Sequence, residues 1–369
     1  MQAVVKTAPA DGPAGTEVRD VPRPTPRPDD VLIRVAAAGV CGTDKHIYHW
    51  DPSIADRVHP PRIYGHEFCG FVEEIGDRAK RSDLAVGDYV SAEMHVVCGH
   101  CAQCRSGNGH VCPNTRVYGL EEDGCFAEFV RVPATNVIKL APTVPIRVGA
   151  FLDALGNAVH TTQVCDLAGK SVAITGFGAI GAMAACVAEQ SGASAVIVTD
   201  VNDHALEVAR RWASSRSLSN FHAFNTATKA NETKAKIIEI TDGVGVDLVC
   251  EMSGAVTAIN FGLDVVRFGG DISLLGLPKG HSVTLDDYTR NVILKGVTLH
   301  GIIGRRMYST WQRMLALLKG GLDVGWIVQA TFDSLGEFND AMGRLDRQEA
   351  LKVVFFPEGE KAAERRLRG

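Results

Sequence analysis

The run Ser171-Val-Ala-Ile-Thr175, followed at once by Gly176-Phe-Gly178-Ala-Ile180-Gly181, constrains this chain more than any other stretch. A short β-rich run, a G-x-G-x-x-G turn and helix-forming residues through Glu189 predict a strand, a tight turn and a helix. The glycines permit the turn and let a pyrophosphate approach the backbone, with its charge at the helix N-terminus. The competing interpretation is a glycine loop that only packs, and the strand-to-helix setting argues against it. A second strand, Ala195 to Thr199, ends at Asp200, about twenty residues on, where a carboxylate binds ribose hydroxyls and repels a 2′-phosphate. No arginine in Val201 to Ala205 would neutralise such a phosphate, so the pattern favours NAD over NADP. Further β-like runs at Phe221 to Phe224, Val246 to Cys250, Asp271 to Leu275 and Val297 to Ile302 complete six strands, most of them separated by helical segments. That alternation predicts an α/β architecture with a doubly wound parallel sheet. Leu275-Gly276-Leu277-Pro278 ends a strand where a cofactor ring would lie. Met314 to Leu318 predicts a helix that returns the chain to its first domain, and the charged tail Glu358 to Gly369 is expected to fray.

The part before Ser171 reads differently. Val4-Val5, Val31 to Ala36, Phe68 to Ile75, Gly87 to Val90 and Gly124 to Phe129 suggest short strands, with a proline-rich turn from Pro22 to Pro28, and together they predict a mostly β, barrel-like domain. Within it Cys98, Cys101, Cys104 and Cys112 follow C-x2-C-x2-C-x7-C. Four thiolates on a tight glycine-bearing loop form a closed tetrahedral site with no room for substrate, which marks structural zinc. Iron–sulfur clusters use related spacings, but no proline follows the third cysteine and no second cluster motif appears. Disulfides are the least favoured reading.

Cys41-Gly-Thr43-Asp-Lys-His46 and Gly65-His66-Glu67 bring thiolate, imidazole and carboxylate into one segment. Catalytic zinc takes three such ligands and keeps a fourth position open. Cys41 and His66 supply two. The third is Glu67 or Asp153, the latter within FLDALGNAVHT, where it alternatively serves as a proton-relay group or as the charge at a helix N-terminus. Thr43 and His46 set a hydroxyl beside the reacting oxygen and an imidazole toward solvent, a proton exit. Taken singly, Cys41 is a small hydrophobe and His66 a core histidine; the metal reading comes from the set. His95, three residues before Cys98, is a surface histidine or a member of the substrate pocket.

Length and charge narrow the class. A chain of 369 residues exceeds one ordinary core and implies two domains. A net charge of -5 offers no basic face for nucleic acid or anionic membrane, leaving a small molecule as the expected partner. The N-terminal MQAVVKTAPADG lacks the secretory pattern, and the apolar tract Ser171 to Ala188 is broken by glycines. Clustered cysteines without a secretory signal imply metal binding in a reducing, cytosolic setting.

The segments CGTDKHIYHWD (Cys41 to Asp51), HVVCGHCAQC (His95 to Cys104), GNAVHT (Gly156 to Thr161), EMSG (Glu251 to Gly254) and GIIGRRMYSTW (Gly301 to Trp311) resemble the zinc-dependent medium-chain dehydrogenase/reductase superfamily along nearly the whole chain. Within it they are most similar to the members that oxidise the secondary alcohol of L-threonine to 2-amino-3-oxobutanoate. The resemblance implies a GroES-like catalytic domain, residues 1–152 and 304–369, and a Rossmann NAD-binding domain, residues 153–303. It implies catalytic zinc on Cys41, His66 and Glu67, a relay through Thr43 and His46, and an acidic group at Asp153 that influences catalysis. It implies cofactor contacts at Gly176, Gly178, Ile180, Gly181, Asp200, Leu275, Gly276, Leu277, Ile302 and Ile303, and a homotetramer. Two departures stand out: Ala205 replaces an arginine common in the family, and Arg211 to Phe224 lacks the usual Gly-Ala turn and looks lengthened. A polyol or other secondary-alcohol dehydrogenase, or a nucleotide-binding protein without catalysis, are the alternatives.

Overall fold

The computed structural model describes every residue except His281. The chain separates into two compact units, Met1–Ala154 with Gly325–Gly369, and Leu155–Val324. The return to the first unit, expected at residue 304, falls at Gly325.

The first unit opens with β1 (Gln2–Lys6), β2 (Thr16–Asp20), β3 (Asp30–Gly39), β4 (Arg62–Ile63), β5 (Phe68–Ile75), β6 (Tyr89–Ala92), β7 (His95–Val96), β8 (Arg116–Val117), β9 (Phe129–Pro133) and β10 (Val137–Lys139). The strand expected from Gly124 begins only at Phe129. The residues before it are used in crossing contacts instead: Val4 N–H donates to the Phe126 carbonyl at 2.8 Å, and Ala3 bridges Ala127.

The second unit carries β11 (Ser171–Thr175), β12 (Ala195–Asp200), β13 (Phe221–Asn225), β14 (Val246–Glu251), β15 (Val266–Leu274) and β16 (Thr298–Gly301). They form one parallel sheet in the order β13-β12-β11-β14-β15-β16, so the strand order reverses beside β11. The near-continuous apolar runs are those of a sheet covered on both faces. Ile197, Val249 and Ile272 are fully buried at its centre, each contributing roughly 1.5–3 kcal/mol by burial. The stretch without a Gly-Ala turn is accommodated by Ser217, which takes φ 55 after the helix Asp203–Ser215 and turns the chain toward β13. The helix Ser309–Lys319 belongs to this unit: it buries Trp311 and Met314, and Gln190 reaches past its end to the Gly320 carbonyl at 3.0 Å.

The chain then supplies β17 (Val328–Phe332) and β18 (Lys352–Phe355) to the first unit. The resulting sheet runs β10-β6-β5-β3-β18-β17, with β9 paired on β3; smaller sheets β2-β1-β4 and β7-β8 complete the unit. The tail does not fray. Residues Glu360–Arg368 form a helix held by Arg147, whose Nη2 meets Glu360 Oε2 at 2.7 Å, and by burial of Ala363. Among the described residues no helix is long and apolar enough to cross a membrane.

Candidate functional site

A candidate metal centre assembles in the first unit where β3 ends. Cys41 is the N-cap of the helix Gly42–Tyr48, and its N–H donates to Asp44 Oδ2 at 2.8 Å, so the first turn is closed by its own carboxylate. Lys6 Nζ donates to the Tyr48 carbonyl at 2.9 Å and fixes the helix's other end. His66 and Glu67 come from the loop between β4 and β5. Tyr64, just ahead of them, packs on Phe338 with ring centroids 5.6 Å apart, and Phe338 also meets Phe126 and Phe355, so an aromatic cluster anchors the loop. One ligand atom each from Cys41, His66 and Glu67 lies within 4.8 Å of the other two.

The surroundings fit a cation. His66 Nδ1, Glu67 Oε1 and Asp44 Oδ1 are buried without hydrogen-bond partners among the described residues. Burial opposes charge on His66, but Asp44 and Cys41 outweigh it and push the imidazole up to about 10, so the local field favours positive charge. Asp44 Oδ1 sits 3.8 Å from His66 Nδ1. Lys352 Nζ forms an ion pair with Glu67 Oε2 and donates to the Val40 carbonyl at 2.7 Å. A set of sulfur, nitrogen and oxygen donors at this separation suits zinc.

Thr43 and His46 lie one turn apart on the same helix, with Thr43 Oγ1 3.9 Å from Cys41 Sγ and His46 exposed, its Nδ1 3.2 Å from Asp51 Oδ2. Among the described residues no hydrogen bond joins them, so a proton passing between them needs an intervening hydroxyl or water. Asp153, in the first turn of the helix Leu152–Thr162, gathers with Glu93 and His95 rather than with Cys41 and His66; their ligand atoms lie within 4.8 Å of one another. Glu93 is buried, and its Oε1 accepts from both the backbone N–H (3.1 Å) and Nδ1 (2.9 Å) of His95. Asn136 Nδ2 donates to the Glu93 and His95 carbonyls. Sequence reasoning passed over Asp44, Glu93 and Lys352. The first is legible as a Cys-x-x-Asp cap and the second as an acid at i−2 from His95; the third leaves no local signal.

Cys98, Cys101, Cys104 and Cys112 converge as expected, all as free thiols, with Cys112 Sγ 3.6 Å from Cys98 and 3.7 Å from Cys101. These separations are far beyond a disulfide and close to the edge of about 3.8 Å expected when four sulfurs sit 2.3 Å from one zinc. Backbone N–H groups of His100 and Cys101 pull Cys98 down to about 5, while burial and the neighbouring Cys101 push Cys104 up to about 12, so thiolate character in the metal-free cluster is centred on Cys98.

The second unit holds the dinucleotide candidates. Gly176 takes φ 97 at the end of β11, and Gly178 caps the helix Ala179–Gln190. At Gly181 a Cβ would sit 2.0 Å from the Gly176 carbonyl oxygen, whereas at Gly178 it would meet nothing within 4 Å; the third glycine packs the turn and the second leaves room for a ligand. Asp200 ends β12 with Oδ2 accepting from Phe177 N–H at 2.6 Å and Oδ1 from Asn202 N–H at 2.8 Å, which leaves lone pairs for ribose hydroxyls. Leu275 and Gly276 follow β15, both N–H groups on the Glu251 carbonyl, and Ile302 follows β16. Leu277 and Ile303 are 89% and 60% exposed at these carboxyl ends, the edge where open parallel sheets take ligands. Ile180 is half-buried in the first turn of the helix. Ala205 is buried on the helix Asp203–Ser215, so no side chain there reaches out toward a cofactor.

The alcohol dehydrogenase GroES-like domain pattern matches residues 27–142, and the zinc-binding dehydrogenase pattern matches residues 179–320. The chain is 41% identical to L-threonine 3-dehydrogenase of Caldanaerobacter subterraneus subsp. tengcongensis and 40% identical to that of Bacillus subtilis, over 97% of this chain and 99% of each relative. Among solved structures it is similar to alcohol dehydrogenase TADH from Thermus sp. ATN1, with a TM-score of 0.83 and 32% identity over 97% of this chain and 100% of that one.

Proposed function

The chain belongs to the zinc-binding dehydrogenases, in the family of the L-threonine 3-dehydrogenases, and from that premise we propose that it oxidises the secondary alcohol of L-threonine to 2-amino-3-oxobutanoate with NAD as acceptor. The observation that carries the chemistry is the convergence of Cys41, His66 and Glu67 at the start of the very helix that bears Thr43 and His46. When bound, zinc supplies the Lewis acidity that makes a carbinol proton labile, and NAD supplies the hydride acceptor.

The residues divide the work. Cys41, His66 and Glu67 would hold the metal, with the Asp44 carboxylate adding negative charge beside His66. Thr43 takes the hydroxyl proton and passes it through a bridging hydroxyl or water to His46, whose exposed ring releases it to solvent. With NAD bound, the carbinol hydrogen would leave as hydride, oxidising the alcohol carbon while the dinucleotide accepts the two electrons. His95, clamped by Glu93, and the nearby Asp153 line the substrate's side of the site, where an imidazole and carboxylates suit an ammonium-bearing alcohol better than a polyol. Gly176, Gly178, Ile180, Gly181 and Asp200 would receive the pyrophosphate and ribose, and Leu275 to Leu277, Ile302 and Ile303 would contact the rest of the dinucleotide. Cys98, Cys101, Cys104 and Cys112 hold a second zinc in a structural role. The enzyme works in the cytoplasm as a homotetramer, with Met1–Ala154 and Gly325–Gly369 as the catalytic domain and Leu155–Val324 as the NAD domain.

NADH absorbance with L-threonine and with a polyol panel, before and after chelation, tests this reading. Chelator-sensitive turnover that favours L-threonine is expected. Faster turnover of a polyol would replace the substrate, and binding of NADH with no turnover of any alcohol would leave a nucleotide-binding protein.

A further inference from the structure

Lys352 has no part in the chemistry above, yet its side chain is only 3% exposed and its ammonium lies on Glu67. The approach is built by the fold: β18 pairs antiparallel with β3, Val354 opposite Gly39, which carries Lys352 to the start of the metal loop. Gly39 permits it, since a Cβ there would stand 2.9 Å from Glu67 Oε2 and 3.2 Å from Lys352 Cε. A buried ammonium is strongly unfavourable unless paired, whereas an apolar side chain of similar length would fill the same space without that penalty. The charge itself is therefore what the site uses.

We propose that Lys352 is a positioning residue that holds Glu67 and weakens the carboxylate's grip on zinc. This rests on the metal reading of Cys41, His66 and Glu67. With Lys352 engaged on Oε2, Glu67 has Oε1 left for the metal, and its negative charge is shared between two cations. The charge count points the same way. A divalent ion with the Cys41 thiolate and the Glu67 and Asp44 carboxylates sums to minus one, and the ammonium brings the buried cluster to neutrality. Without Lys352, Glu67 would be a bare buried carboxylate whose best partner is zinc.

The test needs neither substrate nor dinucleotide: metal-free protein is titrated with zinc against a chromophoric chelator, and the melting temperature is followed with and without metal. Lys352→Met is expected to tighten zinc binding by about tenfold or more and to lower the melting temperature of the metal-free form, so that zinc stabilises it more than the parent. Lys352→Arg should behave as the parent does, and Glu67→Gln, with Lys352 present, should lose far less affinity than Cys41→Ser. Adding Glu67→Gln to Lys352→Met should abolish the tightening. If Lys352→Met binds zinc no more tightly than the parent, or if Glu67→Gln loses as much as Cys41→Ser, the proposal is overturned. Should Lys352→Met not fold, the Glu67→Gln comparison decides alone. The metal reading stands or falls separately, on whether Cys41→Ser loses one zinc per chain.

Discussion

Replacing Asp200 by asparagine isolates the charge that chooses between NAD and NADP. Asparagine keeps the side-chain volume and one carbonyl oxygen, so one of the bonds from Phe177 N–H (2.6 Å) and Asn202 N–H (2.8 Å) survives and the turn keeps its shape. What is lost is a carboxylate accepting ribose hydroxyls, an interaction of about 1.5–3 kcal/mol for hydrogen bonds to charged groups, or roughly tenfold to a hundredfold in affinity for NADH. For NADPH the sign reverses. A 2′-phosphate about 4 Å from a carboxylate is repelled by about 4 kcal/mol per charge pair at an effective dielectric of 20, reduced by salt to about 2 kcal/mol at this half-exposed position. Removing that repulsion offsets the lost hydrogen bonds, so NADPH affinity should hold or improve while NADH affinity falls. The discrimination ratio is then expected to drop by about thirtyfold. Because Ala205 supplies no cation, NADPH should not become a tight ligand. Fluorescence titration of both nucleotides reads the ratio without catalysis, and the melting temperature reports whether the turn survives. A ratio unchanged in a stably folded Asp200→Asn protein refutes the assignment of Asp200 to the ribose.

Other perturbations bear on the metal centres and the proton path. Cys41→Ser should abolish turnover while leaving circular dichroism unchanged and the melting temperature close to that of the parent without zinc at this site, because the helix cap from Asp44 remains; a fully active variant would refute the zinc role. Cys112→Ala should release one zinc per chain and sharply lower the melting temperature, read by metal analysis and calorimetry, since a structural zinc site contributes folding free energy directly. Thr43→Val should lower kcat by about a hundredfold or more with little change in KM, as expected for loss of a proton acceptor; an unaltered kcat would remove Thr43 from the path. The metal-free protein should also show a distinct pH dependence. His66 is held above its ordinary 6.5, at about 10, so the stability it gains from Asp44 is fully present below 6.5 and lost as pH rises through about 10. Zinc competes with that proton, so the rise in melting temperature on adding zinc should grow from pH 6.5 toward 10, and a flat difference would contradict it.

Much of this protein is legible in its residues, for physical reasons that differ from place to place. Cys98 to Cys112 and Gly176 to Gly181 are local: ligands and turn glycines must be close in sequence, so spacing alone reports the geometry. The six sheet strands are legible because a doubly covered parallel sheet needs unbroken apolar runs such as SVAIT. The misses are non-local. The helix Ser309–Lys319 has an apolar face that fits either unit, and nothing in Met314 to Leu318 says which core receives it. Whether Glu67 or Asp153 joins Cys41 depends on where the folded chain places residues far apart in sequence, and the structure groups Asp153 with Glu93 and His95. Lys352 becomes meaningful only once β18 is laid against β3. The tail, read as a polar segment that frays, is held by an ion pair to Arg147 that no periodicity reveals.

Anomalous scattering at the zinc edge, from crystals of the protein grown without chelator, gives the most direct answer. One peak is expected among Cys98, Cys101, Cys104 and Cys112, and a second between Cys41, His66 and Glu67. A map with the first peak alone, in protein that still turns over L-threonine, would contradict the account.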